Sequence, residues 1–308
     1  MCAVPAPLAS ASSAGAPVKP SVRLYLPDAF LVRGHVVTVP GRPMHITGVI
    51  RPYVKGQRVA VAVLEGRRVI KRAWVRVHRT RYGSGHFSES FKARRVGEAK
   101  IIVGHLGTHE MRAFKATRTI TALDEHASFG SSGPFVGLIQ QRLAALHFYI
   151  PQTGVYDAGT GLAIDAYHRL LHRGTSQTLD GLTISYLLDG FGAFKVRYPG
   201  QGRHAEANLS LQLLALIDGS HVESIEPTSS GKPSTPTILG DYRVYLREPG
   251  YNSHSMYYSD YFIRGYAIHG FDPAPDYPAS HGCIRIPIAD AIPTFNWLSL
   301  GDWVDVYY

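Results

Sequence analysis

YAIHGFDPAPDYPASHGCIRI, residues 266–286, is the stretch around which the rest of the chain is read. It contains Cys283, with His281 two positions before it and His269 fourteen before it. The only other cysteine is Cys2. A thiol attacks as the thiolate, so a reactive cysteine needs a base or a positive field beside it. Histidine is the side chain suited to that work near neutral pH. A cysteine flanked by two histidines therefore reads as an activated nucleophile.

Tyr266-Ala267-Ile268-His269 is a short apolar, β-prone run, which predicts a strand closing near His269. Alternation on that strand sets His269 on one face with Ala267 and Gly265, whose small size leaves room for a substrate. Gly270 to Ala279 holds three prolines and two aspartates and predicts a stiff loop returning towards His269. Gly282 opens a backbone conformation closed to other residues. Successive N–H groups around His281, Gly282 and Cys283 would form a concave site for a developing oxyanion. Arg285 is a fixed cation that either lowers the Cys283 pKa or clamps the loop.

Three other readings of Cys283 compete. As a buried small hydrophobe it would be oddly placed, with polar neighbours on both sides. Zinc ligation by Cys283 and the two histidines lacks a second cysteine and any Cys-x-x-Cys spacing, so no metal is expected. A papain-type pair has its cysteine before its histidine, and here the order is reversed.

His269-Gly270 followed by Ser280-His281-Gly282-Cys283-Ile284-Arg285 resembles the His-Gly … Ser-His-Gly-Cys-x-Arg signature of the L,D-transpeptidases, the YkuD-type catalytic domain. Thr235-Pro236-Thr237 and Gly240 resemble the family's Thr-Pro-x-Gly turn, and the similarity runs on through Leu300 to Tyr307, covering roughly residues 203–308. Phe271 departs from the pattern, since many members carry Thr or Ser after the His-Gly. The resemblance implies a mainly-β catalytic domain over residues 198–308. It implies Cys283 as nucleophile, His269 as base, and His281 and Gly282 ordering the oxyanion loop, with Gly270, Ser280 and Arg285 in support. Gly265 and Tyr266 are candidate substrate contacts.

By the same resemblance, Cys283 would attack the L-centre carbonyl of a peptidoglycan tetrapeptide stem and expel the terminal D-alanine. An amine from a neighbouring stem would resolve the acyl-enzyme as a 3→3 crosslink. Water as acceptor would make the protein an L,D-carboxypeptidase or crosslink hydrolase instead. A non-catalytic wall-binding protein is the alternative from another class. No metal or organic cofactor is implied, and carbapenem-type β-lactams are implied as acylating inhibitors.

At 308 residues the chain has room for two or three domains, and its 45% apolar content supports packed cores. No run approaches the 18 apolar residues of a membrane span. Residues 1–20 read as a leader or a disordered tail. Ala9-Ser10-Ala11 suits a signal-peptidase site, although no basic n-region precedes it, and Cys2 suits a lipid anchor in one reading. The expected location is outside the cell, in the wall or at the surface. If the leader is removed, Cys283 is the sole thiol, and a lone thiol in an exported protein points to a reactive role.

Charge is unevenly placed. Residues 20–125 hold 20 Lys and Arg against 7 Asp and Glu, a balance of +13, whereas residues 126–308 hold 11 against 16, a balance of −5. A basic front domain suits acidic wall polymers or anionic lipids as partners, or is simply a solvated Arg-rich surface. Nucleic acid is not expected, since no motif for it is visible.

Residues 21–125 consist of short β-prone runs, among them His35–Val39, Met44–Ile50, Arg58–Leu64, Trp74–Val77, Gly85–Ser88 and Lys100–Val103. Their spacing predicts an antiparallel β-sandwich. Residues 126–192 predict three short helices: Val136, Ile139, Leu143 and Leu146 mark the first, Leu162 to Leu170 the second, and Ile184 to Leu188 the third. They form a small α-helical bundle, which resembles the three-helix peptidoglycan-binding module through Leu138–Leu146, Thr153–Asp157 and Ala163–Tyr167. Beyond it, Leu209–Leu216, His221–Glu226 and Asp241–Leu246 each predict a strand, and Tyr257, Tyr258, Tyr261, Phe262 and Tyr266 either line a cleft or pack the sheet.

Overall fold

The structure, a computed structural model, describes residues 16–308. The leader reading, with Cys2 and Ala9-Ser10-Ala11, lies outside the described residues. The chain divides into two compact units, one ending at Asp124 and the other beginning at Glu125.

The described part of the first unit is built of strands: β1 (Ser21–Tyr25), β2 (Phe30–Val32), β3 (His35–Thr38), β4 (Pro43–Arg51), β5 (Arg58–Glu65), β6 (Arg68–Arg76), β7 (His78–Arg79), β8 (Gly85–Lys92), β9 (Gly97–His105) and β10 (Phe114–Ala122). They form a four-stranded sheet in the order β1-β4-β8-β7 and a six-stranded sheet in the order β2-β3-β10-β9-β5-β6. Alternation produces this arrangement. Met44, Ile46 and Ile50 on β4 are buried while His45 is exposed, and Val59, Val61 and Val63 on β5 are buried in the same way. One core cluster joins these to Phe87 and Phe91 from β8 and to Ile101 and Val103 from β9, drawing on both sheets. Each such side chain contributes about 1.5–3 kcal/mol when it leaves water.

The expectation of purely antiparallel pairing is corrected here. β3 and β10 run parallel, with Val37 beside Thr121 and Thr38 beside Ala122. After β3 the chain leaves for the other sheet, so the last strand of the unit takes the free edge in the same direction.

The second unit opens with α1 (Pro134–Ala145), α2 (Ala158–Leu170) and α3 (Gly181–Asp189). Asp157 and Asp180 cap α2 and α3 by accepting from the Thr160 and Thr183 amides, and Gly190 ends α3 in a left-handed conformation. After α1 the chain runs beside a strand of the following segment: the Tyr149 amide donates to the Ile225 carbonyl (3.0 Å) and the Ile225 amide to the His147 carbonyl (2.7 Å).

The following strands are β11 (Arg203–Asn208), β12 (Leu213–Asp218), β13 (His221–Pro227), β14 (Gly240–Arg243), β15 (Leu246–Tyr251), β16 (Tyr257–Ile263), β17 (Tyr266–Gly270) and β18 (Ile284–Ile286), then helix α4 (Ile288–Trp297) and strand β19 (Trp303–Tyr307). Two sheets result, β13-β12-β11-β19-β14 and β15-β16-β17-β18. Leu214 and Leu216, Val304 and Val306, Ile268, and Ile284 and Ile286 share one core. Buried Glu206 accepts from the Arg197 and Tyr198 amides and from the Tyr307 hydroxyl (2.6 Å), which ties the approach to β11 to the far end of β19.

Two expected strands break. Leu209–Leu216 is not continuous: residues 209–212 turn and β12 starts at Leu213, because the Asn208 side chain accepts from the Leu211 amide and the Gln212 side chain donates to the Leu209 carbonyl. Asp241–Leu246 splits because the Val244 amide bonds to Asp302 beside β19, while the Tyr245 amide bonds to Tyr261 on β16. The chain changes sheet between those two residues.

Candidate active site

The site rests on two short neighbouring strands. β17 and β18 run parallel, with Ile268 beside Ile284, His269 beside Arg285 and Gly270 beside Ile286. His269 thus lies near the end of one strand, and Cys283 immediately precedes the next. A cleft of about 580 Å3 opens there, lined by His269, Cys283, Ser280, His281, Arg285, Gly265 and Tyr266 together with His254, Met256, Tyr261 and Phe271.

A second layer holds β18 from behind. The Ser229 and Arg285 backbones exchange two hydrogen bonds, of 2.9 and 3.0 Å, and the Thr228 hydroxyl donates to the Arg285 carbonyl (2.7 Å). The Ser230 carbonyl accepts from the Ala279 and Ser280 amides. These residues lie upstream of β14, where the sequence shows no chemistry-bearing pattern, and sequence reasoning missed them.

Gly282 has φ +121°, and a Cβ there would come within 2.5 Å of the Tyr266 ring. Both the conformation and the space require glycine. The Ser280 hydroxyl donates to the Cys283 carbonyl (2.6 Å) and accepts from the Gly282 amide (3.0 Å), closing the turn. One expectation changes as a result. The Gly282 amide is already engaged and is not a free donor for an oxyanion. Gly265 also moves: it lies in the turn between β16 and β17, not on the His269 strand, and its carbonyl lies 3.9 Å from Cys283 Sγ.

His269 is buried, and its Nδ1 lies 3.0 Å from the Gly270 carbonyl. A carbonyl only accepts, so Nδ1 carries the proton and Nε2 keeps its lone pair. Burial pulls the His269 pKa down to about 4, the Gly270 carbonyl opposes that shift, and the Arg285 charge adds to it. Burial pushes the Cys283 thiol up, against the Ala267 backbone amide and Arg285, which lower it. The resting pair is therefore a thiol and a neutral imidazole, not a thiolate and an imidazolium. Arg285 lies over the Phe271 ring, 4.0 Å from its centroid, and the same ring meets His269 edge-on. His281 Nε2 lies 3.1 Å from Lys232 Nζ, a cation the sequence reading passed over.

The aromatic cluster divides. Tyr261 and Tyr266 line the cleft, Phe262 is buried in the core, and Tyr258 packs edge-on against Phe295 of α4. His254, Met256 and Phe271 were not singled out as cleft residues. His254 and Met256 stand in a loop without periodicity, and nothing in the local sequence aims them at Cys283.

The pH response follows from these shifts. A thiol held up by burial should be alkylated by iodoacetamide at a rate that climbs continuously from about pH 6 to about pH 9, without an early plateau. His269→Ala should slow that reaction by about tenfold or more, while His281→Ala should leave it within about twofold and slow acyl transfer instead. A plateau already reached near pH 6 contradicts the neutral pair, and the opposite mutant pattern exchanges the two histidine roles.

Residues 202–306 match the family model described as the L,D-transpeptidase catalytic domain, YkuD. Among solved structures, the chain is similar to the L,D-transpeptidase (residues 123–326) from Xylanimonas cellulosilytica DSM 15894, with 29% identity over 60% of this chain and 98% of that one and a TM-score of 0.54. It is also similar to the L,D-transpeptidase (Yku) from Stackebrandtia nassauensis, with 19% identity over 59% and 95% and a TM-score of 0.38. No curated protein sequence matches. The family match spans both His269 and Cys283, and the first of the two structures reaches beyond it towards the helices. Residues 202–306 are thus an L,D-transpeptidase catalytic domain of the YkuD type.

Proposed function

We propose that the protein is a cysteine L,D-transpeptidase of the cell wall, acting through an acyl-enzyme on Cys283. One observation carries the reading most: Cys283 and His269 meet in one cleft, with the lone pair of His269 Nε2 unoccupied by the Gly270 carbonyl. Nε2 takes the thiol proton as sulfur attacks the carbonyl of the L-centre in a tetrapeptide stem. The oxyanion is held by the amides of His281 and Cys283, since that of Gly282 is engaged. The amide C–N bond breaks, and the imidazolium returns its proton to the departing D-alanine amine. A pKa near 4 makes that imidazolium a strong acid for the second step. An amine from a neighbouring stem then attacks the thioester, the C–S bond breaks, and a 3→3 crosslink forms.

The flanking regions extend this reading. Residues 126–192 serve as a peptidoglycan-binding helical module, and residues 21–125 as a basic β-sandwich that holds acidic wall polymers or anionic lipids. On this reading the protein works outside the cell, in the wall or at the surface. Among the described residues, no helix is long and apolar enough to cross a membrane.

Mass spectrometry of muropeptides after incubation with the purified chain tests the reaction. The expected product is a 3→3 linked dimer with release of D-alanine, absent with Cys283→Ala. A shortened stem without dimer identifies water as the acceptor, and unchanged stems with folded protein overturn the enzyme reading. Binding of the chain to polymer-bearing walls should weaken with salt, as the screening length falls from ~10 Å at 0.1 M to ~3 Å at 1 M. Salt-independent binding removes the basic unit from that role.

A further inference from the structure

Arg169 lies on α2 and is buried, with 6% of its surface exposed. A buried guanidinium is costly unless its charge and its donors are answered. Asp165, one turn earlier, answers the charge, with 2.9 Å between Oδ2 and Arg169 Nε. Nη1 leaves the helix altogether and donates to the carbonyls of Leu211 (3.3 Å) and Gln212 (2.6 Å) in the turn between β11 and β12. Gln212 has φ +49° there, a conformation non-glycine residues seldom adopt. Its carbonyl also accepts from the Thr228 amide (2.9 Å).

Held in that conformation, the Gln212 side chain reaches Ser230 twice. Nε2 donates to Ser230 Oγ and Oε1 accepts from the Ser230 amide, both at 2.8 Å. The Ser230 carbonyl accepts from the Ala279 and Ser280 amides, each at 2.9 Å. Ser280 Oγ then closes the Gly282 turn and holds the Cys283 carbonyl. A continuous line of hydrogen bonds, buried at Gln212 and Ser230, therefore runs from the second helix to the residue bearing the thiol. Asp276, in the loop before the motif, lies within electrostatic reach of both Arg169 and Asp165. None of Arg169, Gln212 and Ser230 lines the cleft.

We propose that Arg169 and Gln212 are positioning residues for the transpeptidase centre, through which the helical segment sets the placement of the Ser280–Cys283 turn. The role in turnover rests on the reading of Cys283 as nucleophile. The left-handed turn explains the arrangement: Arg169 donates to the two carbonyls at that corner, and from the corner the Gln212 side chain reaches Ser230. On this account the helical segment is part of the catalytic apparatus, whatever it binds in addition.

Arg169→Ala would strand the Asp165 carboxylate and endanger folding, so milder variants of the full chain are the test. Gln212→Asn suits the left-handed conformation, yet its shorter side chain loses Ser230. Arg169→Lys keeps the charge beside Asp165 but loses the reach to two carbonyls. Both should keep the wild-type circular dichroism spectrum. The Ser280 and Gly282 amides should exchange with deuterium about tenfold faster or more. The kcat for tetrapeptide turnover should fall by about tenfold to a hundredfold, with KM within about twofold. The double variant should lose little more than the worse single one, as expected of one line of contacts.

Unchanged exchange at Ser280 and Gly282 in both variants overturns the proposal, and so does faster exchange with full kcat. A lowered Tm with kcat unchanged per folded molecule assigns the residues to stability alone, which also overturns it. Should turnover survive Cys283→Ala, the nucleophile reading fails, while amide exchange still reports on the line of contacts itself.

Discussion

The parallel pairing of β17 with β18 is the constraint on which the site depends. The register sets His269 beside Arg285, and Cys283, the residue before β18, continues it towards Ala267, two residues before His269 on β17. A connection of about a dozen residues commonly carries a helix. This one is a proline-rich loop, and β18 is only three residues long. So short a strand does not hold its own register. The Thr228–Ser230 segment supplies what the strand lacks, pairing with Arg285 on one side and with Ala279 and Ser280 on the other. Gly282 then makes the corner, under the Tyr266 ring.

Burial dominates the electrostatics of the pair. It holds the thiol up and the imidazole down, and the Arg285 cation acts on both in the same sense, favouring thiolate and disfavouring imidazolium. Charge separation in the resting state is thereby disfavoured. In the proposed mechanism the proton would transfer only when substrate gives the sulfur an electrophile and the amides receive the oxyanion, so that the energy of ionisation falls in the reacting complex. Stacking of Arg285 on Phe271 bears on this balance, because the ring that departs from the usual Thr or Ser holds the guanidinium over its face.

The motif around His269 and Cys283 was legible because its residues are local. Two histidines, a glycine that must adopt positive φ and a single thiol lie within fifteen residues of sequence. The alternation of β4 and β5 and the helical spacing of α1 and α2 were equally plain, since burial enforces periods of two and of about 3.6 residues. What stayed hidden depends on distant partners. β10, FKATRTITA, shows mostly exposed polar residues and carries no apolar run to announce a strand. The break at Val244 and Tyr245 exists because two different sheets claim adjacent amides. Arg169 reads in sequence as the polar face of a helix, and only the docked turn at Gln212 reveals where its guanidinium goes. The engagement of the Gly282 amide depends on a rotamer of Ser280 that no pattern specifies.

The central claim is that Cys283 becomes covalently acylated, and intact-protein mass spectrometry tests it most directly. After exposure to a carbapenem, whose lactam C–N bond breaks as its carbonyl acylates the sulfur and whose ring nitrogen takes the proton, the account predicts one added inhibitor mass per chain, mapped to Cys283, retained in Cys2→Ala and absent from Cys283→Ala. Removing a nucleophile typically costs several orders of magnitude in rate, so no slow residual adduct is expected. An adduct that persists on folded Cys283→Ala protein would place the nucleophile elsewhere and contradict the account.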